Sequence, residues 1–259
     1  MKVVIFCGGL GSRLREETEF RPKPMLEIGD QPILVHIMKI YAHYGFNEFI
    51  LCLGYKGHII KEYFYHYEIR NNDFTVKLGE HKSIDVHKKH KEEGWKITLA
   101  DTGAKALKGA RLKHVQSYID GDNFFMTYGD GLADIDLGRL LEFHKSHGKL
   151  VTMTGVRPSS RFGELKLKGE QVESFIEKPQ GGQGFINGGF FVVKRKFLDY
   201  LTEDERCDLE SGALEQLAKQ GELMMYPHEG FWACMDTWRD MEHLNKLWQE
   251  GTAPWKALS

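Results

Sequence analysis

A glycine-rich turn followed by basic residues is the first segment of the chain that could carry chemistry. Three glycines come directly after the first apolar run, residues 3–6: Gly8, Gly9 and Gly11. Backbone N–H groups without side chains can approach a phosphate closely, and the planar guanidinium of Arg13 can bind two phosphate oxygens. Lys23 stands between Pro22 and Pro24, which stiffen the backbone on both sides. The segment predicts binding of an oligophosphate, although a plain tight turn with solvated charges would look the same in isolation.

Two common nucleotide-binding motifs do not fit this segment. A P-loop requires G-x-x-x-x-G-K-[ST], and Lys23 is not preceded by glycine. A dinucleotide fingerprint requires G-x-G-x-x-G, whose third glycine permits close packing of helix on strand. Leu14 stands at that third position. The sequence therefore argues against an NAD-linked oxidoreductase.

Two aspartates are candidate metal ligands, because Mg²⁺ is commonly bound by one or two carboxylates together with phosphate oxygens. Asp130 follows an apolar run at 124–128, and α/β sheets bind ligands at the carboxyl ends of their strands. Asp236 precedes the last predicted helix. Each also has a structural interpretation. Asp-Gly is a strong turn pair, and aspartate caps helices well, although Thr237 competes with Asp236 for that cap.

Polar residues farther along the chain could hold a sugar phosphate. Lys178 follows a predicted strand and could bind a phosphate, while Glu177 could accept hydrogen bonds from sugar hydroxyls. Asn187 offers both donors and acceptors, which suits a hexose, and Gly163 would let a sugar lie against the backbone. The alternatives are an exposed Glu–Lys pair at a strand end and a turn asparagine.

The elements that must position these residues follow from hydrophobic periodicity. Apolar runs predict strands at 3–6, 49–53, 124–128 and 151–156, and later at 164–167, 172–176, 190–193 and 223–226. Helical patterns occupy 33–44, 137–147, 210–219 and 237–250, and Gly45 and Gly148 stand where helices would end. Strands alternating with helices predict one α/β domain over residues 1–259, with a mixed, mostly parallel central sheet flanked by helices and antiparallel strands joining late.

A polar stretch at 71–94 interrupts this pattern. Phe74, Val76 and Leu78 alternate with polar residues, which is typical of a strand with one apolar face. We expect a β-hairpin or arm that forms a small β appendage.

Composition narrows the classes of partner and the compartment. The chain has 35 basic and 37 acidic residues, a formal net charge of −2, which gives no electrostatic basis for binding nucleic acid or an anionic membrane. No apolar run approaches a membrane span, and the start of the chain does not have the pattern of a signal peptide. The four cysteines form no C-x-x-C pair, and this predicts reduced thiols in the cytoplasm.

Several motifs in order identify a family. G-G-L-G-S-R-L and R-P-K-P-M-L-E-I-G are followed by Y-G-D-G at 128–131, F-G at 162–163, E-K-P at 177–179, I-N-G-G-F at 186–190 and F-W-A-C-M-D-T-W-R-D at 231–240. Together they resemble the sugar-1-phosphate nucleotidyltransferases. Ser12 and Cys7 depart from the usual threonine and alanine, and serine retains the hydroxyl.

The resemblance implies a Rossmann-like nucleotidyltransferase fold, similar to glycosyltransferase A, and a reaction that depends on Mg²⁺. D-T-G at 101–103 and the closing G-T-A-P-W-K are similar to members that transfer a cytidylyl group from CTP to glucose 1-phosphate. The implied nucleotide contacts are Gly8, Gly9, Leu10, Gly11, Ser12, Arg13, Lys23, Thr102, Gly103, Arg111 and Gly129. The implied sugar-phosphate contacts are Gly163, Glu177, Lys178 and Asn187. The implied metal ligands are Asp130 and Asp236, and the catalytic residues are Arg13, Lys23 and Asp130.

Two alternatives stay open at this level. A thymidylyl- or uridylyltransferase would use the same scaffold, and a non-catalytic regulator could retain the fold. Retention of Arg13, Lys23, Asp130, Lys178 and Asp236 together argues against the regulator. The resemblance also suggests a homo-oligomer, with the 71–94 arm as a natural contact, and a place in the synthesis of dideoxysugars for bacterial surface polysaccharide such as O-antigen.

Overall fold

The computed structural model is organised around a mixed β-sheet and describes residues 1–9, 11, 14–79, 83–87, 92, 94–157, 164–168, 170–176 and 184–258. The strands are Val3–Phe6 (β1), Glu27–Ile28 (β2), Gln31–Pro32 (β3), Glu48–Leu53 (β4), Phe74–Lys77 (β5), Ser83–Val86 (β6), Lys96–Asp101 (β7), Asn123–Tyr128 (β8), Gly131–Ala133 (β9), Val151–Val156 (β10), Glu164–Lys168 (β11), Gln171–Ile176 (β12), Ile186–Lys194 (β13), Leu223–His228 (β14) and Trp232–Cys234 (β15).

The α-helices are Arg15–Thr18 (α1), Ile33–His43 (α2), Gly57–Tyr65 (α3), Tyr67–Asn71 (α4), Lys108–His114 (α5), Leu137–His147 (α6), Glu215–Lys219 (α7) and Trp238–Gln249 (α8). Short 3₁₀ segments cover Lys23–Met25, Gln116–Tyr118, Arg195–Tyr200 and Pro254–Leu258, and Leu209–Leu214 forms a π-helix. Within the described ranges, no helix is long and apolar enough to cross a membrane.

The central sheet has seven strands in the order β14-β10-β13-β8-β1-β4-β7. The pairs β8–β1, β1–β4, β4–β7 and β10–β14 are parallel, while β13 runs antiparallel to both β8 and β10. The mixed, mostly parallel sheet predicted from the sequence is thus confirmed. The expectation that antiparallel strands join late holds for β13 but is wrong for β14. Strand β13 ends at the amino edge of the sheet. The helical segments that follow bring the chain back to this same edge, where β14 begins and runs parallel to β10.

Apolar side chains are buried on both faces of the sheet. Val3 and Ile5 of β1 belong to one core cluster, and Val4 and Phe6 belong to another. Successive strand residues point to opposite faces, so this alternation places one core on each side. Helices α2, α6 and α8 contribute to the first cluster, and α5, α7 and the π-helix contribute to the second. The sheet is therefore a middle layer that holds its strand ends rigidly in place.

Local signals set the helix bounds near the site. Asp136 caps α6 by accepting a hydrogen bond from the Arg139 N–H at 2.9 Å, and Gly148 ends the helix with φ +70°. Thr237 caps α8, and its partner Asp240 completes a capping box. Because Thr237 fills the cap position, Asp236 is not needed there.

The 71–94 stretch contains an antiparallel pair. Strands β5 and β6 align Phe74 with Val86 and Val76 with Ile84. Cross-strand partners share a face, so these four apolar side chains lie together, and each is between 41% and 43% exposed. Residues 80–82, 88–91 and 93 lie outside the described part of the chain.

Candidate active site

The carboxyl edge of the sheet opens into a cavity of about 1710 Å³. Strands β1 and β8 end level with each other, because Phe6 pairs with Tyr128. Strand β13 runs in the opposite direction, so it begins at this edge and brings Asn187 there, opposite Gly155 of β10. Ligand cavities for one small molecule span roughly 300–1,000 Å³. This cavity therefore has room for two ligands.

A short antiparallel strand pair brings the two candidate metal ligands together. Strand β9 pairs with β15, and Gly131 aligns with Cys234. In an antiparallel pair, the residue before one strand lies near the residue after the other. Asp130 precedes β9 and Asp236 follows β15, and the Met235 N–H donates to the Asp130 carbonyl at 2.9 Å. Two residues more than 100 positions apart are thereby fixed side by side.

Lys23 lies between these carboxylates. Its Nζ donates to Asp130 Oδ2 and to Asp236 Oδ1, each at 2.6 Å, and its side chain is only 13% exposed. Burial alone would lower the pKa of Lys23, but the Asp130 carboxylate and the hydrogen bonds to both aspartates outweigh burial and raise the pKa above its ordinary value. Lys23 is therefore a fixed positive charge at neutral pH.

The same carboxylates form a set of donors that fits a divalent cation. Asp130, Cys234 and Asp236 offer ligand atoms within 4.8 Å of one another, a cluster found by searching the described residues. Burial, followed by the Asp130 charge, raises the pKa of the Cys234 thiol far above its usual range. A protonated thiol is a poor ligand, and hard cations such as Mg²⁺ prefer oxygen. The two aspartates, with Lys23 as their present counter-charge, are the carboxylate pair of this cluster that could hold a divalent cation.

Gly129 allows the strand ends and the Lys23 segment to meet. A Cβ at this position would lie 2.7 Å from the Phe6 carbonyl oxygen and 3.0 Å from the Pro24 ring. The first distance is shorter than real Cβ contacts and the second is at the tight limit, so a side chain would force β1 or the 3₁₀ turn Lys23–Met25 away from Asp130. The glycine thus maintains the distance between Lys23 and the carboxylates.

Arg111 also lines the cavity. The residue is 4% exposed, and its guanidinium donates to the carbonyls of Leu53 at 3.0 Å and Gly8 at 3.1 Å, and to Thr102 Oγ1 at 2.8 Å. Thr102 is itself buried and donates to the Leu53 carbonyl, while Gly103 takes φ +90° beside it. Arg111 therefore ties three backbone segments together beneath the site.

A polar cluster that the sequence did not reveal also lines the cavity. Tyr128, Glu210 and Lys108 all line it together with Asn187. Tyr128 occurs in the quoted Y-G-D-G, but a tyrosine at a strand end carries no signal of its own. Glu210 lies in a segment predicted as helix, where a glutamate is usually a solvated side chain.

Most of the sequence-predicted site residues line this one cavity: Gly8, Gly9, Gly11, Lys23, Arg111, Gly129, Asp130, Asn187 and Asp236. Thr102 and Gly103 are adjacent to Arg111, as described above. Six further predicted residues lie outside the described part of the chain: Leu10, Ser12, Arg13, Gly163, Glu177 and Lys178. Their roles stay predictions.

A mixed β-sheet in an α/β fold, with a cavity for two ligands, a lysine and paired carboxylates at its carboxyl edge, is the arrangement expected of a group-transfer enzyme acting on phosphates. Comparison with known proteins makes the class specific. The chain belongs to the nucleotidyl transferase family, whose model it matches over residues 2–253.

Curated relatives align with nearly the whole chain. It is 49% identical over 257 residues to a glucose-1-phosphate cytidylyltransferase of Salmonella typhimurium, with 99% of each chain aligned. It is 45% identical over 256 residues to a probable glucose-1-phosphate cytidylyltransferase of Bacillus subtilis, again covering 99% of both. These relatives support a nucleotidyltransferase enzyme.

A solved structure confirms the fold. A putative glucose-1-phosphate thymidylyltransferase from Bacillus anthracis superposes with a TM-score of 0.69 at 18% identity, covering 95% of this chain and 94% of that one. At this identity the likeness concerns the fold alone, and it agrees with the Rossmann-like architecture expected from the sequence.

Proposed function

We propose that this protein transfers the cytidylyl group of CTP to glucose 1-phosphate, forming CDP-glucose and pyrophosphate. The observation that carries the chemistry is the meeting of Lys23 with Asp130 and Asp236 in a cavity with room for two ligands. The choice of substrates is supported by the full-length similarity to a glucose-1-phosphate cytidylyltransferase.

The reaction needs no covalent intermediate on the protein. An oxygen of the sugar phosphate attacks the α-phosphorus of CTP in line, and the bond from that phosphorus to the oxygen bridging the β-phosphate breaks. The electron pair of that bond leaves with pyrophosphate. The sugar phosphate is already an anion at neutral pH, so no general base is required. Catalysis is then positioning and neutralisation of charge.

Asp130 and Asp236 would hold the divalent cation, which we take to be Mg²⁺. When bound, the cation neutralises the two anionic substrates and orients the α-phosphate. Lys23 stabilises charge on the triphosphate and on the departing pyrophosphate, a role that the sequence also assigns to Arg13.

The remaining predicted residues divide between the two substrates. Gly8, Gly9, Leu10, Gly11, Ser12 and Gly129 would present backbone N–H groups or open space to the triphosphate. Thr102, Gly103 and Arg111 would shape the pocket for the base. Gly163, Glu177, Lys178 and Asn187 would hold the sugar phosphate.

The base assignment is tested by comparing CTP, UTP and dTTP as substrates with glucose 1-phosphate. We expect kcat/KM to be highest for CTP. Equal or better use of UTP or dTTP would contradict the cytidylyl assignment while leaving the reaction type intact.

The metal role of Asp130 is tested by Asp130→Asn, with Asp120→Asn as the matched control because Asp120 is exposed and pairs with Lys2 far from the cavity. Pyrophosphate release should require Mg²⁺ and should fall by orders of magnitude only in Asp130→Asn. Full activity of that variant would remove Asp130 from the metal site.

We further propose a homo-oligomer in which the arm at 71–94 makes a contact. The support is the exposed apolar face of Phe74, Val76, Ile84 and Val86, since such patches commonly mark interaction surfaces. Replacing all four by serine should lower the mass measured by light scattering after gel filtration. An unchanged mass in a folded variant would contradict the assignment.

We place the protein in the cytoplasm, where CTP is available. All four cysteines are free thiols, which agrees with a reducing compartment. Fractionation of the native host tests this, and recovery in a secreted fraction would contradict it.

A further inference from the structure

A hydrogen-bonded chain of four side chains crosses one wall of the cavity. Asn187 Nδ2 donates to Tyr128 Oη at 2.8 Å, and the Tyr128 hydroxyl donates to Glu210 Oε1 at 2.7 Å. Lys108 pairs with the same Glu210 oxygen and places its ammonium 4.9 Å from the centroid of the Tyr128 ring. The chain runs from a charged pair to Asn187, the residue assigned to the sugar.

The direction of each hydrogen bond in this chain is determined by the carboxylate. An ionised carboxylate can only accept, so the Tyr128 hydroxyl must donate to Glu210 and can only accept from Asn187. Burial, followed by the Glu210 charge, raises the pKa of Tyr128 well above its usual range, so the hydroxyl keeps its proton. The Asn187 amide must then point its nitrogen at Tyr128.

The other end of the amide is held as well. The Gly189 N–H donates to Asn187 Oδ1 at 2.9 Å. One N–H and one lone pair of the amide are left for a ligand, each in a direction that the protein has already chosen. An unrestrained asparagine could exchange donor and acceptor by a half-turn of its amide, whereas this one cannot do so without breaking both bonds.

Four separate segments build this arrangement. Lys108 begins α5, Tyr128 ends β8, Asn187 is the second residue of β13 and Glu210 lies in the π-helix Leu209–Leu214. Single π-helical turns occur frequently at functional sites. Gly189 takes φ +82°, and a Cβ there would lie 2.7 Å from the Tyr128 ring, so the ring and the strand are packed as closely as a glycine allows.

Neutralisation of Glu210 explains how an acidic residue is tolerated beside an anionic substrate. A carboxylate facing a sugar phosphate would repel it, and the paired Lys108 ammonium cancels that charge. Glu210 can therefore accept the hydrogen bond from Tyr128 while its negative charge, balanced by Lys108, does not repel the sugar phosphate.

We propose that Glu210 and Tyr128 are positioning residues that fix the donor and acceptor sides of the Asn187 amide and thereby determine which hydroxyl configuration of the hexose is accepted. The inference rests on the proposed function, in which Asn187 contacts the sugar phosphate. A site whose polar groups are oriented in advance rejects an epimer that leaves them unpaired, so selectivity between hexose phosphates depends on this chain.

The test compares Glu210→Ala, Glu210→Gln and Tyr128→Phe with the exposed control Glu203→Ala. Steady-state kinetics are measured with glucose 1-phosphate, galactose 1-phosphate and mannose 1-phosphate. We expect Glu210→Ala to raise the KM for glucose 1-phosphate by about tenfold, the effect of one lost hydrogen bond, with the KM for CTP nearly unchanged. Its preference for glucose 1-phosphate over the epimers should fall by a similar factor.

Two variants separate positioning from simple structural support. A glutamine at 210 can still accept from Tyr128, so Glu210→Gln should restore most of the selectivity. Tyr128→Phe should resemble Glu210→Ala, and the double variant should be no worse than either single one, because both break the same chain. A general structural defect would instead raise both KM values together and leave the selectivity between epimers unchanged.

Direct binding keeps the inference separate from the proposed reaction. Calorimetric titration of each hexose phosphate into wild type and variants needs no turnover. A wild type that forms no CDP-glucose would refute the proposed function, and the titrations would still test Glu210. Unchanged affinity and unchanged selectivity in a folded Glu210→Ala variant would overturn the inference.

Discussion

Replacing Lys23 by methionine tests the charge balance at the centre of the site. Methionine retains most of the side-chain length but removes the ammonium that lies 2.6 Å from both Asp130 and Asp236. The two carboxylates, which offer oxygens within 4.8 Å of each other, then lose the ammonium that lies between them. Two unit charges at that separation repel by about 3.5 kcal/mol at an effective dielectric constant of 20.

Solvent reduces this value. The side chains of Asp130 and Asp236 are 27% and 31% exposed, so water screens part of the repulsion, and a net loss of about 1–2 kcal/mol in the free energy of unfolding is expected. For a chain of this size, each kcal/mol shifts Tm by about 2–4 °C. Lys23→Met should therefore melt about 2–8 °C lower in buffer without divalent cations.

Added Mg²⁺ should reduce the difference in Tm between Lys23→Met and wild type, and this is the sharper test. In wild type, a cation binding to the aspartates must first displace the Lys23 ammonium, whereas Lys23→Met presents the carboxylates directly. Calorimetric melting curves over a series of MgCl₂ concentrations at constant ionic strength should show a larger stabilisation of the variant.

Lys246→Met is the matched control, because Lys246 forms an exposed pair with Glu250 at 3.8 Å and such pairs contribute little. A Lys23→Met variant with the Tm of wild type in the absence of Mg²⁺, and with no larger rise of Tm on adding Mg²⁺, would refute this charge balance.

Three further predictions concern the scaffold. Burial, together with His147 and Lys194, lowers the pKa of His144 from 6.5 to about 4. The unfolded chain therefore binds a proton that the folded chain refuses, and stability is complete above about pH 6.5 and declines by up to about 3 kcal/mol towards pH 4. When the free energy of unfolding is measured with urea at about pH 7 and about pH 4.5, it should fall less in His144→Gln than in wild type. Gly189→Ala should cost about 2–4 kcal/mol in the free energy of unfolding, because its Cβ meets Tyr128 at positive φ; Gly148→Ala, at φ +70° with no neighbour within 4 Å, should cost only about 1–2 kcal/mol, and equal urea midpoints would contradict this. Thr237→Ala should lower Tm by about 2–4 °C through loss of the α8 cap, and an unchanged Tm would show that the cap is unimportant.

The strands and helices were predictable because local pattern determines them. The strand predicted at 3–6 and the helix predicted at 137–147 match β1 and α6, including the cap at Gly148. Each depends on a periodicity or a capping residue within a few positions. The start of β13 was not predictable in the same way. Asn187 precedes two glycines, which favours a turn, yet pairing with β10 extends the strand over it.

The sequence allowed many residues of the site to be selected, but it did not show which of them contact one another. Lys23 and Asp130 could be selected from composition and neighbours, but their contact spans 107 positions, and the meeting of Asp130 with Asp236 depends on the β9–β15 pairing. Glu210 had no signal at all, because its role depends on a hydroxyl 82 positions away. Sequence patterns identify side chains that could bind a ligand or a metal, and the tertiary structure determines which of these side chains contact one another.

The placement of β13 between β8 and β10 has a consequence for synthesis on the ribosome. Both sheet neighbours of β10, β13 and β14, come later in the chain, so β10 emerges with its edges unpaired and waits until residues 186–194 follow. Unpaired apolar strands are prone to aggregate. A nascent chain arrested between Val156 and Ile186 should therefore engage chaperones, while its β1–β4–β7–β8 half is already able to pair.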